Sequence, residues 1–158
     1  MKKIIGNSHR VYLYSMGLSA IVFALSHAIQ LLIYGLIAQR SFKIDMTGFL
    51  VLAPYTAIEA LVFFAVGCLV GYFPSHWAIR LLEDRRSGAS SYALSGIVMG
   101  LVFLPLCASV PFFLIPLSDE PGYLDRCFEF AIPMMLAGAF GGFCYWRCTY
   151  GKLGAVIT

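Results

Sequence analysis

The chain has 158 residues, of which 60% are hydrophobic and only 12% charged, with a mean hydropathy of +0.83 and a net charge of +3 at pH 7. Soluble domains carry about 25% charged residues, so the composition excludes a soluble globular domain and points to an integral membrane protein. The charge is small and forms no concentrated basic stripe, which argues against a nucleic-acid partner.

The apolar residues come in long blocks, not in period-two alternation, so the spans are helices and not barrel strands. The expected fold is all-α: one transmembrane domain over residues 1–158, with four helical spans near 11–38, 48–73, 92–117 and 130–146. Residues 1–10 are basic, 11–25 are apolar, and Ser26, His27 and Ala28 loosely fit a small-x-small cleavage site. Signal-peptide h-regions run for only about 7–15 residues, whereas this apolar run continues to residue 38. An uncleaved first span is therefore expected. It exceeds the ~20 residues that cross a hydrocarbon core, so it tilts or extends past the core. His27 and Gln30 interrupt it one helical turn apart.

The second span carries a single carboxylate, Glu59, and Pro54 in its first third; Pro74 and Ser75 are expected to end it. Residues 76–86 (HWAIRLLEDRR) then read as a short helix with Ser75 as N-cap. Its Trp77 and Leu81 suit the membrane–water interface. The third span contains Pro105, Pro111 and Pro116. Prolines at that density break the helical hydrogen-bond ladder, so its second half is expected to be bent or partly unwound. Residues 118–129 (SDEPGYLDRCFE) read as an acidic loop, followed by a short last span.

Eight Lys and Arg residues lie in the N-terminal segment, the second connection and the tail, against three in the first and third connections. The positive-inside rule then places both termini in the cytoplasm. Gly67 and Gly71, Gly96 and Gly100, and Gly138 and Gly142 are small-xxx-small pairs, with Ala137 and Gly141 beside the last. Such pairs let helices approach closely in lipid. All three fall in the cytoplasmic half, so a bundle tight there and looser toward the outside is expected.

Glu59 is the first candidate for chemistry, because a charge inside a span is costly. With entry near Leu50 it lies ~14 Å from the outer edge, and with entry near Tyr12 His27 lies ~22 Å from the inner edge. The two depths allow them to meet, with Gln30 and Tyr55 nearby. One reading makes a carboxylate–imidazole pair that relays protons or binds a cation. The other makes a protonated Glu59 that hydrogen-bonds a neighbour and fixes helix register. The second is favoured, because no second carboxylate falls inside a predicted span.

Bis-imidazole haem ligation needs two histidines at one depth on facing helices. His9 and His76 fall near the inner face and His27 falls deep, so no haem is expected, and His9 and His76 read as solvated interfacial side chains. The five cysteines, Cys68, Cys107, Cys127, Cys144 and Cys148, are odd in number and lack CxxC spacing, which is not a disulfide framework. Cys144 and Cys148 share a helix face; they read as free thiols, with metal binding or lipidation as alternatives. Quinone-linked disulfide oxidoreductases of four spans need a reactive Cys pair outside the membrane, where only Cys127 is expected. No phosphate-cradling glycine loop, HExxH or nucleophile elbow occurs. No cofactor and no metal are expected.

The segment 138–155 (GAFGGFCYWRCTYGKLGA), with Tyr145 and Trp146 closing a Gly/Ala-rich span before Gly151, Lys152 and Gly154, resembles the end of small uncharacterised four-span inner-membrane proteins of proteobacteria. The resemblance implies a multi-pass protein of the bacterial inner membrane and assigns no activity. Size and span number are similar to those of pore-forming-colicin immunity and superinfection-exclusion proteins. The expected function is non-enzymatic: helix–helix contact with a membrane partner in the bilayer, as an accessory subunit or an immunity or exclusion factor. The alternative is a small homo-oligomeric channel or proton-coupled carrier using Glu59 and His27.

Overall fold

The computed structural model describes residues 8–38, 46–84, 88–114 and 123–150. They form five helices and, among the described residues, no strand: α1 (Ser8–Ala38), α2 (Met46–Leu69), α3 (Tyr72–Asp84), α4 (Ala89–Leu114) and α5 (Tyr123–Tyr150). Three stretches are each long and apolar enough to cross a membrane: His9–Tyr34, Ala89–Ser109 and Cys127–Tyr150. Pro54–Leu69 and Tyr72–Leu82 meet the same test together, as a pair bent by 64°, which makes three to four spans.

α5 packs along both α1 and α4, α1 packs along α2, and α2 touches α4 only lightly. Val11 and Tyr12 of α1, Tyr92 of α4, and Tyr145 and Cys148 of α5 share one buried cluster. The start of α1 and the end of α5 therefore lie at the same end, called here the terminal end. Phe23, Phe63, Phe130, Met134 and Ala137 form the other cluster, toward the far end. Most large apolar side chains elsewhere face outward, among them Leu13, Ile21, Leu25, Leu61, Leu94 and Val102. That is the arrangement of helices whose surroundings are as apolar as their core.

The glycines explain which helices meet. A Cβ on Gly96 or Gly138 would overlap the backbone carbonyl of the other. One on Gly142 would overlap the carbonyl of Tyr92, and one on Gly100 would stand 2.6 Å from the carbonyl oxygen of Met134. Gly96, Gly100, Gly138 and Gly142 thus bring α4 and α5 into backbone contact. Gly141 makes room on α5 for the Ser19 side chain of α1. Gly67 faces the flexible end of Met16, and its carbonyl accepts a hydrogen bond from the Tyr12 hydroxyl at 2.8 Å.

Several expected boundaries move. The second span does not end at Pro74. The chain breaks earlier, where the Val70 and Gly71 amides both donate to the Val66 carbonyl and close α2. A Cβ at Gly71 would stand 2.8 Å from the Gly67 carbonyl oxygen, so this turn requires glycine. Pro74 and Ser75 lie within the first turn of α3, where a proline's missing N–H is no loss. Ser75 is therefore not an N-cap, and its amide donates to Gly71.

α4 is one continuous helix through Pro105 and Pro111 to Leu114, not a half-unwound one. Prolines are tolerated in helices packed among others in lipid, where neighbours and small local adjustments satisfy the freed carbonyls. Pro116 lies outside the described residues. The acidic segment is not all loop: from Tyr123 onward it forms the first turns of α5, and this moves Glu129 into the bundle.

Packing toward the terminal end is also less uniform than expected. α4 and α5 are tight there, yet a partly open cleft of about 100 Å³ lies in the same half, bordered by Gly67, Gly71, Gly96 and Gly100. Glycine permits close approach only where helices converge; where α2 and α4 diverge, it leaves space.

Candidate functional site

The buried stripe of α1 runs through Val11, Tyr12, Ser15, Ser19, Ala20, Phe23 and His27 at helical spacing. Two of its hydroxyls are satisfied within the helix: Ser15 donates to the Val11 carbonyl and Ser19 to the Ser15 carbonyl, each at 2.8 Å. His27 has no such local partner. Its ring is 1% exposed and reaches across to two other helices.

Nδ1 of His27 lies 2.6 Å from Oε2 of Glu59 on α2. Nε2 lies 3.3 Å from Oε1 of Glu129 on α5. Glu59 is 6% exposed and Glu129 is 27% exposed. Gln30, one turn along α1, donates from Nε2 to the Glu129 backbone carbonyl at 2.9 Å and so ties the first turns of α5 to α1. The aromatic floor is close. Phe130 meets the His27 ring edge to face at 4.9 Å, and Phe23 lies one turn below it with ring centroids 5.9 Å apart.

The geometry fixes a proton count. An ionised carboxylate only accepts hydrogen bonds, and a neutral imidazole has a single N–H. Hydrogen bonds from both ring nitrogens to carboxylates therefore require one extra proton, on the ring or on one carboxyl. Either placement leaves the three groups with one net negative charge. A buried net charge in a bilayer is costly and is held only against partners or water. Glu59 Oε1 and Gln30 Oε1 are buried and have no hydrogen-bond partner among the described residues. Two acceptors without donors beside a net negative charge are suited to a proton or a hydrated proton.

His27, Gln30 and Glu59 come together as the sequence suggests, and Tyr55 is half-buried one turn from Glu59 on α2. Glu129 is the residue that sequence reasoning missed, and it overturns the premise that the bundle holds only one carboxylate. The signal was present: the core spacing of Ala137, Pro133–Met134 and Phe130, extended back along the helix, reaches Glu129 beside Phe130.

Cys107, Cys144 and Cys148 are buried, Cys68 and Cys127 are half-buried, and all five are free thiols. Among the described residues, no three His, Cys, Asp or Glu side chains are grouped to hold a metal ion. His9 and His76 stack on opposite sides of Tyr72 in the chain, with ring centroids 5.4 and 5.8 Å from it, and the Tyr72 hydroxyl hydrogen-bonds His9 Nδ1.

No family model matches the sequence, and no curated protein and no solved structure matches it either.

Proposed function

We propose that this multi-pass protein is a small proton-coupled membrane carrier whose proton-binding centre is Glu59, His27 and Glu129. The observation that carries the reading is the single imidazole held between two carboxylates inside an apolar bundle, with Glu59 Oε1 left without a donor among the described residues. A structural pair needs one carboxylate, whereas a relay needs an acid on each side of the base. Glu129 is the more exposed of the two and serves as the mouth; Glu59 is the buried acceptor. A proton passed from Glu129 to Nε2, while Nδ1 releases one to Glu59, crosses the ring without changing its charge afterwards. The reading is non-enzymatic, and it takes the bacterial inner membrane with both termini cytoplasmic as its setting. The Lys and Arg distribution and the shared end of α1 and α5 support that orientation.

Proton flux tests it. Full-length protein reconstituted in liposomes with a trapped pH dye should dissipate an imposed pH gradient under potassium and valinomycin, and Glu59→Gln or Glu129→Gln should abolish the signal. Flux equal to that of empty liposomes, or unchanged in both variants, would sink the reading.

The second reading is helix contact with a membrane partner. The glycines that suggested it are largely consumed inside the bundle, by α4 against α5. Gly17 is the observation that still favours it, because nothing lies within 4 Å of where its Cβ would be. Stoichiometric co-purification of a partner, lost in Gly17→Leu, is the result this reading expects.

A further inference from the structure

We propose that Cys107 of α4 and Cys127 of α5 are a redox-active thiol pair, closed into a disulfide by exchange with a disulfide donor. The glycine seam places them. Gly96 lies against Gly138, and Gly100 against Met134, as α4 and α5 run antiparallel in backbone contact. Seven residues beyond Gly100 stands Cys107, and seven before Met134 stands Cys127. Seven residues are close to two helical turns and rotate the face by only about 20°. The two thiols therefore sit at one level, on the sides that α4 and α5 turn toward each other. Burial agrees. Cys107 is 4% exposed, and it shares one cluster with Phe130, Met134 and Ala137, against which Cys127 packs.

Reach and setting both suit a disulfide. α-Carbons stand about 2.3 Å from a helix axis, and packed helices lie with axes about 8–10 Å apart. Two residues facing each other across such a pair have α-carbons roughly 3.5–5.5 Å apart, and a disulfide bridges about 4.4–6.8 Å. Cys127 is the first residue of the apolar stretch of α5, and Cys107 lies two residues inside the far limit of that of α4. The pair thus marks the edge of the apolar region at the far end. The remaining thiols offer no such pair. Cys68 lies in the last turn of α2, toward the terminal end, and Cys144 and Cys148 follow one turn apart on a single helix face. With both termini cytoplasmic, as taken above, Cys107 and Cys127 are the cysteines on the outer side, where disulfides persist.

Cys127, the more exposed of the two, reacts first. Its thiolate attacks one sulfur of the donor disulfide. That S–S bond breaks, and the other sulfur leaves as a thiolate that takes up a proton. Cys107 then loses its proton to water and attacks the Cys127 sulfur, expelling the second donor thiolate, which is protonated in turn. Both cysteines are oxidised, the donor is reduced to two thiols, and two protons pass from the cysteines to the leaving sulfurs. Cys107 also lines the cleft, so its sulfur is not sealed in packing. Closure fastens the first turns of α5 to α4. Glu129 lies two residues beyond Cys127, in the stretch that Gln30 holds to α1, so the oxidised pair fixes the segment that carries this carboxylate. The seam alone positions the thiols, independently of the proton-coupled reading.

The test is exchange of the full-length wild-type protein, folded in detergent, with oxidised glutathione, followed by alkylation and peptide mass spectrometry without reductant. A peptide joining Cys107 to Cys127 within one chain should be the main product. Cys127→Ser should abolish it, and Cys107→Ser should leave a glutathione adduct on Cys127 in its place. Closure should run at least about tenfold faster than in the same protein unfolded in dodecyl sulfate, because the fold raises the effective concentration of one thiol at the other. Glutathione adducts on the wild-type protein with no joined peptide would overturn the pair. So would a joined peptide between other cysteines or between two chains, and so would closure no faster than in the unfolded chain.

Discussion

Gly96 of α4 and Gly138 of α5 face each other so closely that neither has room for a methyl group. The obstacle is backbone carbonyl on both sides, so no side-chain movement relieves it. Gly138→Val should separate α4 from α5 and cost more than about 3 kcal/mol, as overpacking against an unyielding neighbour does. Gly67→Ala meets only the flexible end of Met16 and should cost far less, and Gly17→Ala should be silent or slightly stabilising. Thermal unfolding in detergent, ranked across these three, checks the order.

The proton-binding centre predicts strong coupling. His27→Ala strips its one partner among the described residues from a carboxylate that is 6% exposed, and removing one member of a buried ion pair costs about 3–5 kcal/mol. Pairing His27→Ala with Glu59→Gln should recover a large part of that loss, because the stranded charge goes with it. Pairing it with Glu129→Gln should recover less, since Glu129 stands 3.3 Å away and is 27% exposed. A double-mutant cycle in mild denaturing detergent measures both; equal recovery would contradict the asymmetry.

Tyr12→Phe removes the one described side-chain bond between α1 and the α2 end, from the Tyr12 hydroxyl to the Gly67 carbonyl. The expected loss is about 1 kcal/mol, the ordinary net value of a hydrogen bond. Fluorescence or circular-dichroism melting reads it out.

Much of this was legible in the sequence, and what was not has identifiable causes. α1 and the first half of α4 follow from long apolar runs, which lipid permits only as helices, whereas the continuity of α4 through Pro105 and Pro111 went against their proline signal. The pairing of His27 with Glu59 follows from depth counting at 1.5 Å per residue. Glu129 was hidden because Pro121, Gly122 and four acidic residues gave residues 118–129 the composition of a loop, whereas the helix begins immediately after Pro-Gly and contains the last seven of them. The break between α2 and α3 was placed at Pro74 because proline is the stronger signal. The chain turns at Gly71 instead, since a proline in a helix's first turn breaks nothing. The stacking of Phe23 on Phe63, with Phe130 edge-on to it, was invisible because three phenylalanines on three helices carry no sequence spacing that links them.

Thiol chemistry offers an independent check on burial. Under native conditions a membrane-permeant maleimide should modify Cys68 and Cys127 well before Cys107, Cys144 and Cys148. Peptide mass spectrometry after timed labelling gives the order. Early modification of Cys107, which is 4% exposed, would contradict the packing of α4.

α3 is the most amphipathic of the helices, with Tyr72, Ile79 and Leu82 packed inward and Phe73, Trp77 and Leu81 exposed on the opposite side. In a Trp146→Phe background, Trp77 fluorescence should be quenched most by lipids brominated near the start of the acyl chain. Stronger quenching by deeply brominated lipids would mean that α3 continues the α2 span through the bilayer.

The bond from Gln30 to the Glu129 carbonyl sets the rotational phase of a whole helix. An α-helix advances about 100° per residue, so one residue inserted between Glu129 and Phe130 would turn this carboxylate away from His27 while leaving the glycine seam of α5 against α4 in place. An insertion ahead of Tyr123 would alter neither. In this chain the acid and the packing surface of α5 are therefore separable by counting residues, and length changes within one short stretch of helix would disconnect proton chemistry from assembly.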